Sequence, residues 1–332
     1  MAVLLVLALP LLILIHSAAL QQSAKAPATS ASADTEQTNL LEFGKAKTPR
    51  PAKTTNSKVV KIISYNIRWR SGDDLKKLIR LFQDDPEIGN AAILGLQEVD
   101  RRKKRSNNTN TVKQIADELG MHYAWAAPPS VKSGSEEETG VAILSIYPLT
   151  DVRRIVLPYE GPNKRRRVAL GATLNVEGRE WRVYSAHGET RLAFGKKLEQ
   201  LGSLLKDLSR YPADMPAIIV GDFNTWEPGA DRKIIKLFSD AGMKTPFGTE
   251  STFSRRVLFV PIQFRLDWIW LRGVEPTEFG IDKKIEISDH WPLWLSVGLP
   301  PSKQNQPAST IPPKSSNSQW KLTTSNQRTN PD

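Results

Sequence analysis

The chain predicts an α/β protein, a mixed and layered sandwich of strands and helices. Three observations carry this. Eight short, β-branched apolar runs recur between residues 57 and 299, each of a length and bounding that suits a buried strand. Four segments between them show helical spacing instead. The two kinds alternate without a strict βαβ rhythm, which favours layers over a doubly wound parallel sheet.

The strand candidates are "VVKIISYNI", "AAILGLQEV", "GVAILSIY", "VALGATLNV", "WRVYSAHG", "AIIVGDFN", "LDWIWL" and "LWLSVGL". The helix candidates are "DDLKKLIRLF", "TVKQIADEL", "FGKKLEQLGSLLKDL" and "DRKIIKLF". Together they form one domain, residues 58–299. The start, "MAVLLVLALPLLILIHSAAL", is an apolar run followed by small residues, and reads as an export signal or N-terminal anchor over 1–20. Residues 21–57 are rich in Ala, Ser, Thr and Lys and read as a flexible linker. Residues 300–332, rich in Pro, Ser, Asn and Gln, read as a disordered tail.

The 332 residues contain 46 Lys plus Arg against 35 Asp plus Glu, a net charge of +11, which favours anionic partners such as nucleic acid, phosphates or acidic membranes. There is no cysteine. Disulfides, thiolate metal sites and a cysteine nucleophile are therefore excluded, and any metal must sit on oxygen or imidazole.

Polar residues stand where the strands end. The first run leads into Asn66, the second into Glu98, and later ones into His187, into Asp222 with Asn224, and into Asp289 with His290; Asp267 interrupts an otherwise apolar strand. Each alone has an ordinary structural explanation, as a turn residue, a surface charge or a hydrogen-bonded core histidine. Jointly they describe one pocket at a common sheet edge. Oxygen ligands such as Asn66, Glu98 and Asp289 suit a hard cation, Mg2+, Mn2+ or Ca2+, better than zinc. Of the four histidines, His16 lies in the signal and His122 in a helix-to-strand connection.

The order "SYNI", "QEVD", "SAHG", "GDFN", "LDWIWL", "SDHWP" resembles the endonuclease/exonuclease/phosphatase superfamily, over about residues 58–298. The resemblance implies two facing, mostly antiparallel β-sheets flanked by helices, the arrangement of deoxyribonuclease I. It implies that Asn66, Glu98 and Asp289 hold or adjoin the divalent cation. It further implies that Asp222 and Asn224 flank the scissile phosphate and that Asp267 orients His290. Asp222 is the candidate base, with His290 the rival, and His187 is expected to donate to a phosphate oxygen. The chain departs from the family pattern at Val141, which follows Gly140, and at "SAHGET", where Thr-His-Leu is more usual.

The expected activity is hydrolysis of an anionic phosphodiester by activated water, in an exported protein, with nucleic acid the favoured substrate. A sphingomyelinase-like lipid phosphodiesterase, a phosphomonoesterase and a non-catalytic anion-binding module are the alternatives. No obligate protein partner is expected. "RRKKR" at 101–105 is the better candidate for backbone contacts, and "KRRR" at 164–167 reads as a solvated loop. Trp226 and Trp291 could stack on a base or meet a head group, whereas Trp69, Trp268, Trp270 and Trp294 read as core. "RRVLFVPIQF" at 255–264 is the one segment that could offer a membrane an apolar edge.

Overall fold

In the computed structural model, residues 40–50, 59–129 and 137–299 are described, the side chain of Val257 excepted. The expected signal (1–20), most of the expected linker and the expected tail (300–332) lie outside the described residues.

Seven strands form the first sheet: β1 (Leu41–Lys45), β2 (Val59–Asn66), β3 (Ile93–Arg101), β4 (His122–Ala126), β5 (Glu138–Ser145), β13 (Pro276–Ile281) and β14 (Leu293–Gly298). Their order is β1-β4-β5-β3-β2-β14-β13. Only β2 and β3 pair in parallel; the other neighbours are antiparallel. The second sheet holds β6 (Leu149–Val156), β7 (Val168–Val176), β8 (Arg179–His187), β9 (Ala217–Asp222) and β12 (Asp267–Arg272), in the order β12-β9-β8-β7-β6. There too a single pair, β8 with β9, is parallel. Two mostly antiparallel sheets are what the resemblance implied.

The sheets meet face to face. Gly95 of β3 lies so near β9 that an added Cβ would stand 2.1 Å from Val220 Cγ2, so a side chain at Gly95 would wedge the layers apart. Helices α1 (Gly72–Asp84) and α2 (Thr111–Leu119) pack against each other, α2 also against β3, β4 and β5 of the first sheet, and join the main core through Leu75, Leu78, Val112 and Ile115. Helices α3 (Phe194–Leu208) and α4 (Ala230–Asp240) close a second core with Phe223, Trp268 and Trp270. There Phe238 stacks on Trp270 with ring centres 4.5 Å apart, and Trp270 on Trp268 at 5.4 Å. All eight strand candidates and all four helix candidates form as expected.

Three expectations need correction. Part of the expected linker is ordered: β1 pairs antiparallel with β4, and Leu40 is buried in the main core. The strand escapes a composition reading because it is five residues long and interrupted by Glu42 and Gly44. Trp69 lies in a turn after β2, half-buried, with a left-handed backbone (φ 48°). Trp294 does lie in a strand, but is only half-buried, because its indole N–H reaches out to Glu87 at 3.0 Å.

A short hairpin, β10 (Phe253–Val257) with β11 (Val260–Phe264), pairs with neither large sheet. Among the described residues, no helix is long and apolar enough to cross a membrane.

Candidate active site

The register of the second sheet places three functional side chains abreast. His187, the last residue of β8, pairs with Asp222, the last of β9, and Asp222 in turn faces Asp267, the first of β12. The parallel pair in the first sheet ends with Asn66 opposite Gln97, one residue before Glu98. Between Leu96 and Val99 the pairing of β3 with β5 slips, and Glu98 within that irregularity has φ 54°. A non-glycine residue in the left-handed region is strained and marks a site where backbone is bent to aim a side chain. Here the bend turns Glu98 into the cavity between the two sheet ends.

That cavity measures about 550 Å3, and Glu98, His187, Asp222, Asn224, Asp289 and His290 all line it. Asp222 is the hub. Its Oδ2 accepts from the Asn66 amide at 3.0 Å and lies 3.6 Å from His187 Nε2 and 3.7 Å from His290 Nε2. Its Oδ1 accepts the backbone N–H of Asn224 at 2.9 Å. Asp267 Oδ2 lies 2.8 Å from His290 Nδ1, which directs His290 Nε2 at Asp222 and the cavity.

Burial sets the charges. Desolvation raises the Asp222 carboxyl well above the ordinary range, with the Asp267 charge adding to it and His290 and the Asn66 hydrogen bond opposing it. For His290, desolvation acts against the imidazolium, but the Asp267 and Asp222 carboxylates outweigh it and raise its pKa. His187 goes the other way: burial first, then the charges of Arg167 and His290, hold it well below its usual value and therefore neutral.

Two groups of side chains bear on where a cation would sit. Among the described residues, Asp222, Asp267 and His290 offer atoms within 4.8 Å of one another, but both Asp222 oxygens, Asp267 Oδ2 and His290 Nδ1 already have hydrogen-bond partners. Asp267 Oδ2 is shared by His290 and the Thr252 hydroxyl at 2.7 Å. Glu98 and Asp289 instead open onto the cavity, and the Asn66 amide reaches Glu98 Oε1 at 3.4 Å. This all-oxygen set, with a strained carboxylate aimed inward, fits a hard divalent cation. Asp289 is paired with Arg68 at 3.1 Å. Thus the structure gathers all eight candidate residues at one edge of the sandwich, Asp267 lying one layer behind His290. His122 starts β4, away from the site.

Several site groups had escaped notice. Arg68 and Arg167 both face the cavity; Arg68 follows Asn66 by two residues, a spacing that could have flagged it. An annex of about 190 Å3 beyond Glu98 and His187 is walled by Arg105, Arg165, Arg166 and Arg167 with Trp69. Arg165, Arg166 and Arg167 of "KRRR" therefore face the site, while Lys164 stays exposed on the loop as expected. These cations are oriented by carboxylates: Arg105 by Asp100, Arg165 by Glu138, Arg167 by Glu189. The Arg105 guanidinium also lies over the Trp69 ring, 4.2 Å from its centre. Trp226 lines the cavity and is half exposed, whereas Trp291 packs beside Lys283, outside it. Lys197 is buried behind the site and donates to the Asn224 carbonyl at 2.7 Å. Its place on the Leu201–Leu204–Leu208 stripe of α3 was a legible sign.

The departure at "SAHGET" has a local cause. A Cβ at Gly188 would approach Phe223 O to 2.6 Å, so a larger residue there cannot keep this packing.

Paired sheets with carboxylates, carboxamides and two imidazoles gathered at their strand ends are the arrangement of a phosphoric ester hydrolase. The model of the Endonuclease/Exonuclease/phosphatase family matches residues 63–290, and the chain belongs to that family. Among curated proteins it is similar to YbhP of Escherichia coli, 24% identical over 202 residues, 58% of this chain and 74% of that protein. Among solved structures, the human Nocturnin catalytic domain with bound sulfate anion superimposes with a TM-score of 0.56 at 18% identity, covering 77% of this chain and 97% of that one. D. rerio TDP2 complexed with single strand DNA product gives 0.56 at 16%, covering 73% and 99%. These likenesses carry the fold.

Proposed function

We propose that the chain is an exported, divalent-cation-dependent phosphodiesterase that hydrolyses nucleic-acid strands with an activated water. The observation that carries the chemistry is the convergence on Asp222 Oδ2 of Asn66, His187 and His290, at 3.0, 3.6 and 3.7 Å.

Burial gives Asp222 the proton affinity a general base needs near neutral pH. His290, kept protonated by Asp267 and Asp222, accepts no proton; it stabilises negative charge growing on the phosphate. This favours Asp222 over the rival base. Neutral His187 donates to a second phosphate oxygen. Asn224 spends one amide hydrogen on Gly188 O at 3.2 Å and has another for the same task. A cation held by Asn66, Glu98 and Asp289 would neutralise the phosphate and position the attacking oxygen.

Substrate class follows from the annex. Arginines on both sides of Glu98 suit an ester with further phosphates along a strand, because each phosphate met by a cation adds electrostatic affinity. The half-exposed Trp226 offers a face for a base, and Nocturnin and TDP2, which share the fold, were solved with a sulfate anion and a DNA product.

The test is nicking of supercoiled plasmid by the full chain with magnesium or manganese, with chelator, and by Asp222→Asn. Cleavage that needs both the cation and Asp222 supports the proposal. Hydrolysis of a small phosphodiester without cleavage of DNA or RNA would leave the site assignment and overturn the substrate.

A further inference from the structure

The β10–β11 hairpin lies at the mouth of the cavity. Its base is fixed: Phe253 and Phe264 stack with ring centres 6.4 Å apart, Phe253 sets its edge against His290 at 5.0 Å, and Thr252 N–H donates to Phe264 O at 2.9 Å. Ile262 and Phe264 line the cavity itself. Its tip is the opposite. Leu258 is 86% exposed, Phe259 94% and Val260 64%. Leu258 turns the chain with φ 56°, a left-handed conformation that a Gly or Asn would hold with less strain.

Three successive large apolar side chains at a turn gain nothing from water and contribute nothing to either core. Polar turn residues would serve the hairpin better, so the tip fits a surface that it meets. Exposed Arg255 and Arg256 stand just behind it on β10. An apolar point backed by cations has the chemistry of an element that enters the boundary between head groups and acyl chains, with arginines at the phosphate level. A nucleic-acid strand is the poorer match, because the aliphatic Leu258 and Val260 offer bases no stacking face and the tip itself carries no cation.

We infer that the hairpin docks the domain on an anionic lipid bilayer, inserting Leu258 and Phe259 so that the cavity opens beside the membrane. Since the chain's net charge is +11, anionic lipid should strengthen the contact. The inference does not rest on nucleic acid being the substrate.

The absence of cysteine makes a site-specific test available. In the full chain, Phe259→Cys carries an environment-sensitive fluorophore, and Glu177→Cys, in the turn between β7 and β8, carries the same dye as control. Both are mixed with vesicles of phosphatidylglycerol and phosphatidylcholine, with vesicles of phosphatidylcholine alone, and with single-stranded DNA. The expected result is a blue shift at 259 on anionic vesicles, quenched by lipids spin-labelled near the head group, with no shift at 177. Leu258→Ser in the labelled chain should weaken the vesicle-dependent shift about tenfold in lipid concentration.

An unshifted probe at 259 while the protein sediments with vesicles would overturn the inference, attributing attachment to another part of the chain. A shift with DNA and none with vesicles would assign the tip to nucleic acid instead. Equal shifts on neutral and anionic vesicles would overturn the electrostatic part. Hydrolysis of a soluble nitrophenyl phosphodiester by each labelled protein reports separately on the proposed chemistry.

Discussion

The Thr252 hydroxyl donates to Asp267 Oδ2 at 2.7 Å, and that same oxygen lies 2.8 Å from His290 Nδ1. Thr252 is buried and belongs to no strand; it lies in the segment leading into the β10–β11 hairpin. Its Oγ1 also accepts the backbone N–H groups of Leu266 and Asp267, each at 3.0 Å. One hydroxyl thus holds both the carboxylate and the backbone that carries it.

Thr252→Val keeps the shape and removes the hydroxyl, leaving two buried N–H groups unpaired. A loss of about 2–6 kcal/mol in urea unfolding is expected, from roughly 1–3 kcal/mol for each of the two unsatisfied buried groups. Thr252→Ser should recover most of the stability and nearly all of kcat. Equal behaviour of Val and Ser would show that the hydroxyl is not used.

Asp267→Asn removes the largest of the three carboxylate charges that keep His290 protonated, those of Asp267, Asp222 and Asp289. With Asp222 as base and His290 as cation, activity rises as Asp222 ionises and falls as His290 loses its proton. Both groups are raised, Asp222 to about 7 and His290 to about 10, which gives a bell with those limbs. In Asp267→Asn the alkaline limb should move to lower pH, with kcat falling by about 10²–10⁴. A pH profile of kcat/KM with an unmoved alkaline limb would remove Asp267 from this role.

Glu98→Gly relieves the left-handed strain at φ 54° while deleting the carboxylate. Its cost to the fold should stay below about 1 kcal/mol. Magnesium binding, followed by calorimetry without substrate, should weaken at least tenfold. Unchanged binding would shift the cation to the Asp222, Asp267 and His290 cluster.

Lys197→Met tests the support beneath Asn224. Lys197 Nζ also pairs with Glu227 at 2.7 Å, so removing the ammonium leaves a carboxylate and a carbonyl without their partner. The expected loss is about 2 kcal/mol in chemical denaturation, with kcat falling more than KM rises, because Asn224 is then less firmly placed.

The strands that the sequence revealed are those buried on both faces, such as β3 and β9, whose apolar runs are nearly continuous. Edge strands β1, β6 and β13 face water in part and carry mixed residues, so no periodicity announces them. Similarly, Asn66, Glu98, His187, Asp222 and His290 could be read because they end apolar runs. Thr252 could not, since nothing local separates it from any loop threonine. Trp69 was misread because its apolar character outweighed its position after the strand had ended.

The alignment of His187, Asp222 and Asp267 across three adjacent strands also bears on how the protein becomes active. Side chains alternate along a strand, so a slip of β12 by one residue would turn Asp267 away and put Trp268 opposite Asp222 in its place. Regain of activity during refolding should therefore report correct pairing of β9 with β12, and compact but misregistered molecules should be inert.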